Sequence, residues 1–264
     1  MGTCTCRTKG SRKMKIDVMG VAYDNVTMEE ALARGRELLA QPGASIVVTP
    51  NAEIAYDAMK DEALCAMLNR ADLVLPDGAG VVLSAKILKT PLKQKVAGIE
   101  FATNMLSVFA ETGAGLYLLG SKPGVAELAA EKMRQTAPGL RICGLSDGYF
   151  QDEAEIVKKI NASGAQALYV CLGAPKQERF MFAHREELST VRLMAGLGGT
   201  LDGFAGTVRR APRWMIKCNL EWLYRLIKQP SRFGRMLRLP KFILAARKRR
   251  RQDIKNHKNG GKTK

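Results

Sequence analysis

The sequence predicts an α/β fold: a Rossmann-like, mostly parallel, doubly wound sheet followed by a helical, basic C-terminal appendage. Three observations carry this expectation. Short apolar runs such as Ser45-Ile-Val-Val-Thr49 and Ala167-Leu-Tyr-Val-Cys171 recur between residues 15 and 195. Stretches with apolar residues at helical spacing separate them, the alternation of parallel strands with crossover helices. After residue 207 the alternation stops and basic segments take over.

Strands are expected near 15–21, 45–49, 72–76, 115–119, 140–144, 166–172 and 191–195. Helices are expected near 28–40, 52–69, 78–89, 98–112, 123–136, 152–162 and 175–188. Thr27 and Glu30 form the capping box of the first helix, and Pro123 suits the start of another. Beyond the core, Asn219 to Ile227 has a helical pattern that Gln229-Pro230 ends. A second helix then places Phe233, Leu237, Ile243 and Leu244 on one side, with Arg232, Arg235, Arg238 and Lys241 around it and Pro240 expected to bend or interrupt it. From Arg247 the composition is basic and of low complexity, which predicts disorder. The chain thus divides into an extension (1–13), an α/β core (14–207), a helical appendage (208–246) and a basic tail (247–264).

The net charge of +17 is unevenly placed. Residues 208–264 carry 19 Lys/Arg against Glu221 and Asp253 only, while residues 14–207 carry 19 basic and 23 acidic side chains. Such a tail seeks a polyanion, either an anionic membrane surface or nucleic acid. The acidic body, without interleaved aromatic and basic residues, argues against nucleic acid. The longest uncharged stretch, residues 160–175, is too short and polar to span a bilayer, so membrane contact is expected at the surface. Residues 1–13 lack the apolar segment of a signal peptide. Cys65 and Cys171 sit in apolar runs as small core residues, and the six cysteines show no metal-type clustering, which suits a reducing cytoplasm.

Ligands of doubly wound sheets bind beyond the C-terminal strand ends, so the residues there are the candidates. Gly120-Ser-Lys-Pro-Gly124 and Gly196-Leu-Gly198-Gly199-Thr200 are loops whose backbone N–H groups suit a phosphate, although such glycines also serve ordinary turns. The first strand lacks a G-x-G-x-x-G turn, which counts against a dinucleotide-binding dehydrogenase. Asp77, in Leu75-Pro-Asp-Gly78, is either a tight-turn residue or a general base. Thr49 and Asn51 are either helix caps or partners for sugar hydroxyls. His184 lies in a charged stretch and reads as solvated, His257 lies in the tail, and neither belongs to a metal set, so no metal and no cofactor are expected.

Taken together, Thr49-Pro-Asn51, Leu75-Pro-Asp-Gly78-x-Gly80, Leu119-Gly-x-x-Pro-Gly124, Gly148-Tyr-Phe, Leu172-Gly-Ala-Pro-Lys-Gln-Glu178, Gly198-Gly-Thr-x-Asp202, Arg210-Ala-Pro212 and Glu221-Trp-Leu-Tyr-Arg225 occur in this order. Over residues 14–245 this closely resembles the WecB/TagA/CpsF family of bacterial glycosyltransferases. The resemblance implies an inverting transferase that uses a UDP-sugar donor without a required metal. It also implies an undecaprenyl-diphosphate-linked amino-sugar acceptor on the cytoplasmic face of the membrane. In the teichoic-acid branch the donor is UDP-N-acetylmannosamine. Carried over by motif, Asp77 is the base, Thr49 and Asn51 are sugar contacts, and Gln177 lies near the nucleotide. Arg225, Arg232 and Arg235 match arginines brought over the active site, with Gly120, Gly198 and Gly199 in the donor loops. The sequence departs from the family pattern twice: Glu100 stands where Asp is commoner, and Leu201 and Gly203 flank Asp202 where Phe is usual. A related transferase using UDP-N-acetylmannosaminuronate or a capsule sugar is the alternative, and the sequence leaves homo-oligomerisation open.

Overall fold

The computed structural model describes residues 15–208, 212, 215, 224, 234 and 237–260. In chain order the elements are β1 (Lys15–Val18), β2 (Val21–Asp24), α1 (Met28–Ala40), β3 (Ser45–Val48), α2 (Ala52–Ala58), α3 (Glu62–Arg70) and β4 (Leu73–Val74). They continue with α4 (Ala79–Ile87), α5 (Gly98–Thr112), β5 (Leu116–Gly120), α6 (Val125–Thr136), β6 (Ile142–Ser146), α7 (Glu153–Ala162) and β7 (Ala167–Cys171). Last come α8 (Lys176–Ala183), β8 (Leu193–Gly196), α9 (Thr200–Ala205) and α10 (Arg238–Gly260).

Six strands form one parallel sheet in the order β4-β3-β8-β7-β5-β6. Every residue of β3, β5, β7 and β8 is buried, as a strand covered on both faces must be. On one face pack α1, α5, α6 and α9, through Leu38, Phe101, Met105, Met133 and Leu201. On the other pack α2, α3, α4, α7, α8 and α10, through Leu64, Leu68, Val81, Ile156, Phe180 and Phe242. The doubly wound expectation therefore holds. The capping box of α1 also forms: Glu30 N donates to Thr27 Oγ1 at 3.2 Å, and Thr27 N donates to Glu30 Oε2 at 2.9 Å.

Three expectations need correction. The stretch read as one strand near 15–21 is an antiparallel hairpin outside the main sheet. Its turn, Met19-Gly20, has φ of 59° and 98°, the positive values that a two-residue hairpin turn demands. The hairpin buries Val18, Val21 and Tyr23 in the second core cluster. Its Asp24 carboxylate accepts the Val74 N–H at 2.8 Å. The helix expected over 52–69 is two helices, because Asp61 Oδ1 accepts the Leu64 N–H and starts α3 afresh.

The third correction concerns the tail. Pro240 lies in the first turn of α10, where its missing N–H costs nothing, with a turn at Leu237 before it; most of the stretch 231–236, expected in the same helix, lies outside the described residues. From Arg247, expected to be disordered, the chain continues α10 to Gly260. Phe242 and Ala246 are fully buried against the core, and α10 lies across α2 and α4. Docking thus fixes the first turns, and the strong helix formers beyond continue them. Among the described residues no helix is long and apolar enough to cross a membrane.

Candidate active site

Because the six strands run the same way, their C-terminal loops line one edge in sheet order: 75–78, 49–51, 197–199, 172–175, 121–124 and 147–152. With neighbouring strands about 4.8 Å apart, that row is about 24 Å long.

At one end sits Asp77, half-buried between β4 and α4. Gly78 follows with φ +85° and stands as the N-cap of α4. Asn51, from the adjacent strand end, lies close by: a Cβ on Gly78 would be 3.7 Å from Asn51 Cβ. Beneath them the Tyr23 hydroxyl donates to Pro50 O at 3.1 Å. Burial first, and then the nearby Asp77 charge, push the Tyr23 pKa well up, so its proton is firmly held. Sequence patterns gave no sign of Tyr23, which lies beyond the strand expected near 15–21.

Asn51 caps α2, its Oδ1 accepting from Glu53 N at 2.9 Å and Ile54 N at 3.0 Å. The cap uses that oxygen and leaves the amide nitrogen as the group suited to a ligand. Thr49 is buried, and its hydroxyl donates to Gly196 O at 3.0 Å. It also packs on Gly98, where a Cβ would come within 3.0 Å of Thr49 Oγ1. Thr49 therefore ties the end of β3 to the end of β8.

The middle of the row is set by Gln177. It is 1% exposed, and its Oε1 accepts the Gly198 N–H at 2.8 Å. Its Nε2 donates to Glu178 Oε1 at 2.9 Å. The Gly198 N–H, expected to face a phosphate, is thus committed to Gln177, which shapes the 198–199 turn from below. Glu178 is itself 1% exposed, and its Oε2 has no hydrogen-bond partner. Burial raises its pKa, opposed by the bond from Gln177. Sequence analysis missed this carboxylate, although it stands beside Gln177 in the same motif.

At the other end, Gly120 has φ +130°, and a Cβ there would overlap Cys171 O, so only glycine lets β5 close on the end of β7. Ser121 Oγ donates to Asp202 Oδ2 at 3.0 Å, and Ser121 O accepts the Gly148 N–H at 2.8 Å. These bonds gather the loops after β5, β6 and β8. Tyr149 stands on this cluster with 66% of its surface exposed. Lys176 covers the neighbouring Phe150 ring at 4.6 Å and donates to Gly148 O at 3.3 Å.

The edge thus brings together Asp77, Thr49, Asn51, Gln177, Gly198, Gly199 and Gly120. Arg225, Arg232 and Arg235 lie outside the described residues. Among the described residues no group of three or more His, Cys, Asp or Glu could hold a metal ion. His184 is not solvated as expected. Its ring nitrogens lie 2.9 Å from Glu153 Oε2 and 3.2 Å from Glu187 Oε2, with the ring on Phe180 at 4.9 Å. Burial lowers its pKa, but the two carboxylates outweigh burial and raise it.

Residues 16–256 match the glycosyl transferase WecG/TagA/CpsF family. The chain belongs to this family. Three relatives are each named N-acetylglucosaminyldiphosphoundecaprenol N-acetyl-beta-D-mannosaminyltransferase. That of Bacillus spizizenii is 38% identical over 222 residues, 84% of this chain and 86% of the relative. That of Bacillus subtilis is 38% identical over 204 residues, covering 77% and 79%. That of Staphylococcus aureus strain MRSA252 is 32% identical over 245 residues, covering 92% and 96%. In this WecG/TagA/CpsF glycosyltransferase the sheet edge carries a carboxylate at the β4 end, and glycine turns with an exposed aromatic at the β5 and β6 end.

Proposed function

We propose that this glycosyltransferase moves N-acetylmannosamine from UDP-N-acetylmannosamine to N-acetylglucosaminyl-diphospho-undecaprenol, with inversion, in teichoic-acid-type wall synthesis. The observation that carries the reading is the polarity of the sheet edge in a chain 32–38% identical to transferases of that name. Nucleotide-type loops stand at one end and a half-buried carboxylate at the other.

The UDP part lies over the β5–β6 end, its base stacked on Tyr149 and its ribose near Asp202. The diphosphate follows the glycine turns at 120–124 and 198–199, and the sugar reaches Thr49 and Asn51. The acceptor hydroxyl oxygen attacks the anomeric carbon while the bond from that carbon to the diphosphate oxygen breaks. UDP leaves with the bonding pair, and Asp77 takes the hydroxyl proton. Charge growing on the diphosphate needs fixed cations, the role proposed for Arg225, Arg232 and Arg235. The exposed basic residues of α10, Arg247, Lys248, Arg249 and Arg251 among them, suit an anionic membrane surface where the lipid acceptor resides.

The test is product analysis with a short-chain lipid-diphosphate acceptor and a panel of UDP-sugars that includes N-acetylmannosaminuronate. Transfer of N-acetylmannosamine with inverted configuration is expected, and Asp77→Asn should lower it by about two to four orders of magnitude. Preference for another sugar overturns the donor assignment, and near-wild-type turnover of Asp77→Asn overturns the base.

A further inference from the structure

We propose that Leu239 and Arg238, at the start of α10, are positioning residues for Asp77 and Asn51, so that the last helix sets the geometry of the catalytic end. The inference rests on the reading of Asp77 as the base. Its physical ground is a three-way junction of α2, α4 and α10.

Gly80 is the second residue of α4, three positions after Asp77. A Cβ placed on it would overlap Leu239 Cδ1 and lie 2.9 Å from Ala52 Cβ. Ala52 is the first residue of α2 and directly follows Asn51. The two helices whose first turns follow Asn51 and Asp77 therefore touch at Gly80, and the Leu239 side chain fills the third side. A few residues away, Arg238 Nη1 lies 2.6 Å from Asp57 Oδ2 near the end of α2. Phe242 and Ala246, fully buried one and two turns further, seat α10 along the same two helices.

The Asp77 loop is held by the Leu75 N–H to Val48 O at 2.9 Å and by the Val96 N–H to Pro76 O at 3.0 Å, and Leu239 adds packing where two other supports are short. Gly78 offers no side-chain cap to α4, and β4 beneath it pairs over only two residues. Leu239 supplies the packing that a short strand and an uncapped helix lack. A shift of the first turn of α4 by a fraction of an ångström moves the Asp77 carboxylate relative to Asn51, and catalysis is sensitive to misplacement on that scale.

The experiment uses the full-length protein with a water-soluble acceptor, so that membrane attachment has no part in the rate. Leu239→Ala should lower kcat about tenfold or more with the donor KM little changed, since the nucleotide end is remote from the junction. Leu239→Met, which refills the space, should regain most of the rate. Leu244→Ala, on the same helix but 59% exposed, should behave as wild type. Full kcat in Leu239→Ala, or equal losses in Leu239→Ala and Leu244→Ala, overturns the proposal, as does failure of Leu239→Met to rescue. Asp77→Asn is run alongside: if it is active, the reading of the base has failed. If it is inactive while Leu239→Ala is fully active, only the positioning role has failed.

Discussion

Replacing Gln177 by leucine removes two hydrogen bonds from a site that water does not reach. One is the bond from the Gly198 N–H at 2.8 Å, and the other is the bond that Gln177 Nε2 gives to Glu178 Oε1 at 2.9 Å. The first contributes about 1 kcal/mol, and the second, to a carboxylate, about 1.5–3 kcal/mol. The expected loss is therefore about 3 kcal/mol, or about 6–12 °C in Tm at about 2–4 °C per kcal/mol for a chain of this size. The pH dependence gives a sharper mark. Burial holds the folded pKa of Glu178 above its unfolded value, and the Gln177 bond opposes that rise. A carboxyl raised on folding is least costly below its unfolded pKa and destabilises progressively as pH climbs through the folded one. Without Gln177 the folded pKa moves further up, so the Tm gap between wild type and Gln177→Leu should widen from pH 5 to pH 7. Gln177→Leu combined with Glu178→Leu should narrow the gap, because an apolar pair leaves no buried charge to solvate. Melting followed by circular dichroism across that range decides it. A gap that is absent, or that does not change with pH, refutes the account of a strained buried carboxylate.

Three further outcomes are expected. Tyr149→Ala should raise the donor KM and weaken UDP binding by about 1–3 kcal/mol, the contribution of one base-stacking contact; calorimetric titration with UDP checks it. The His184 pKa is raised by Glu153 and Glu187 against the effect of burial, so its pairing stabilises fully below the unfolded pKa and fades as pH rises through the folded one. Wild-type Tm should fall relative to His184→Gln as the buffer goes from pH 6 to pH 8, and parallel curves would exclude the link. Transfer should survive EDTA, since neither the sequence motifs nor the described residues supply a metal-ligand cluster; loss with recovery on adding Mg²⁺ or Mn²⁺ would show otherwise.

Much of the sheet was legible because strands buried on both faces are nearly continuous apolar runs, and β3, β5, β7 and β8 are such strands. The β1–β2 hairpin was not, because its turn is Met19-Gly20 and not one of the Asn-Gly or Asp-Gly pairs that announce such turns. The break between α2 and α3 hid behind an apolar period that continues across it, and α9 behind glycines. The tail misled by composition, since Arg247 to Arg251 resemble a disordered segment while the helix they extend is seated by Phe242 and Ala246 upstream. At the site, Thr49, Asn51, Asp77 and Gln177 were visible as polar residues at apolar strand ends. Tyr23, Glu178 and the Gly80 junction were not, because each matters through contacts between elements that are distant in sequence.

The place of β8 carries a consequence for how the protein comes into being. It is the last strand of the sheet to be made, yet it lies between β3 and β7 and pairs with both. Until residues 193–196 are available, β4 and β3 form one fragment of sheet, and β7, β5 and β6 another, with no ladder between them. Asp77, Thr49 and Asn51 belong to the first fragment, and Gly120 and Tyr149 to the second. The join couples Ser45 with Leu193 across most of the core, a closure of long sequence separation and so a slow one. On the ribosome, the two halves of the site are therefore strangers until almost the whole core has been synthesised. Four residues then join them in one sheet edge.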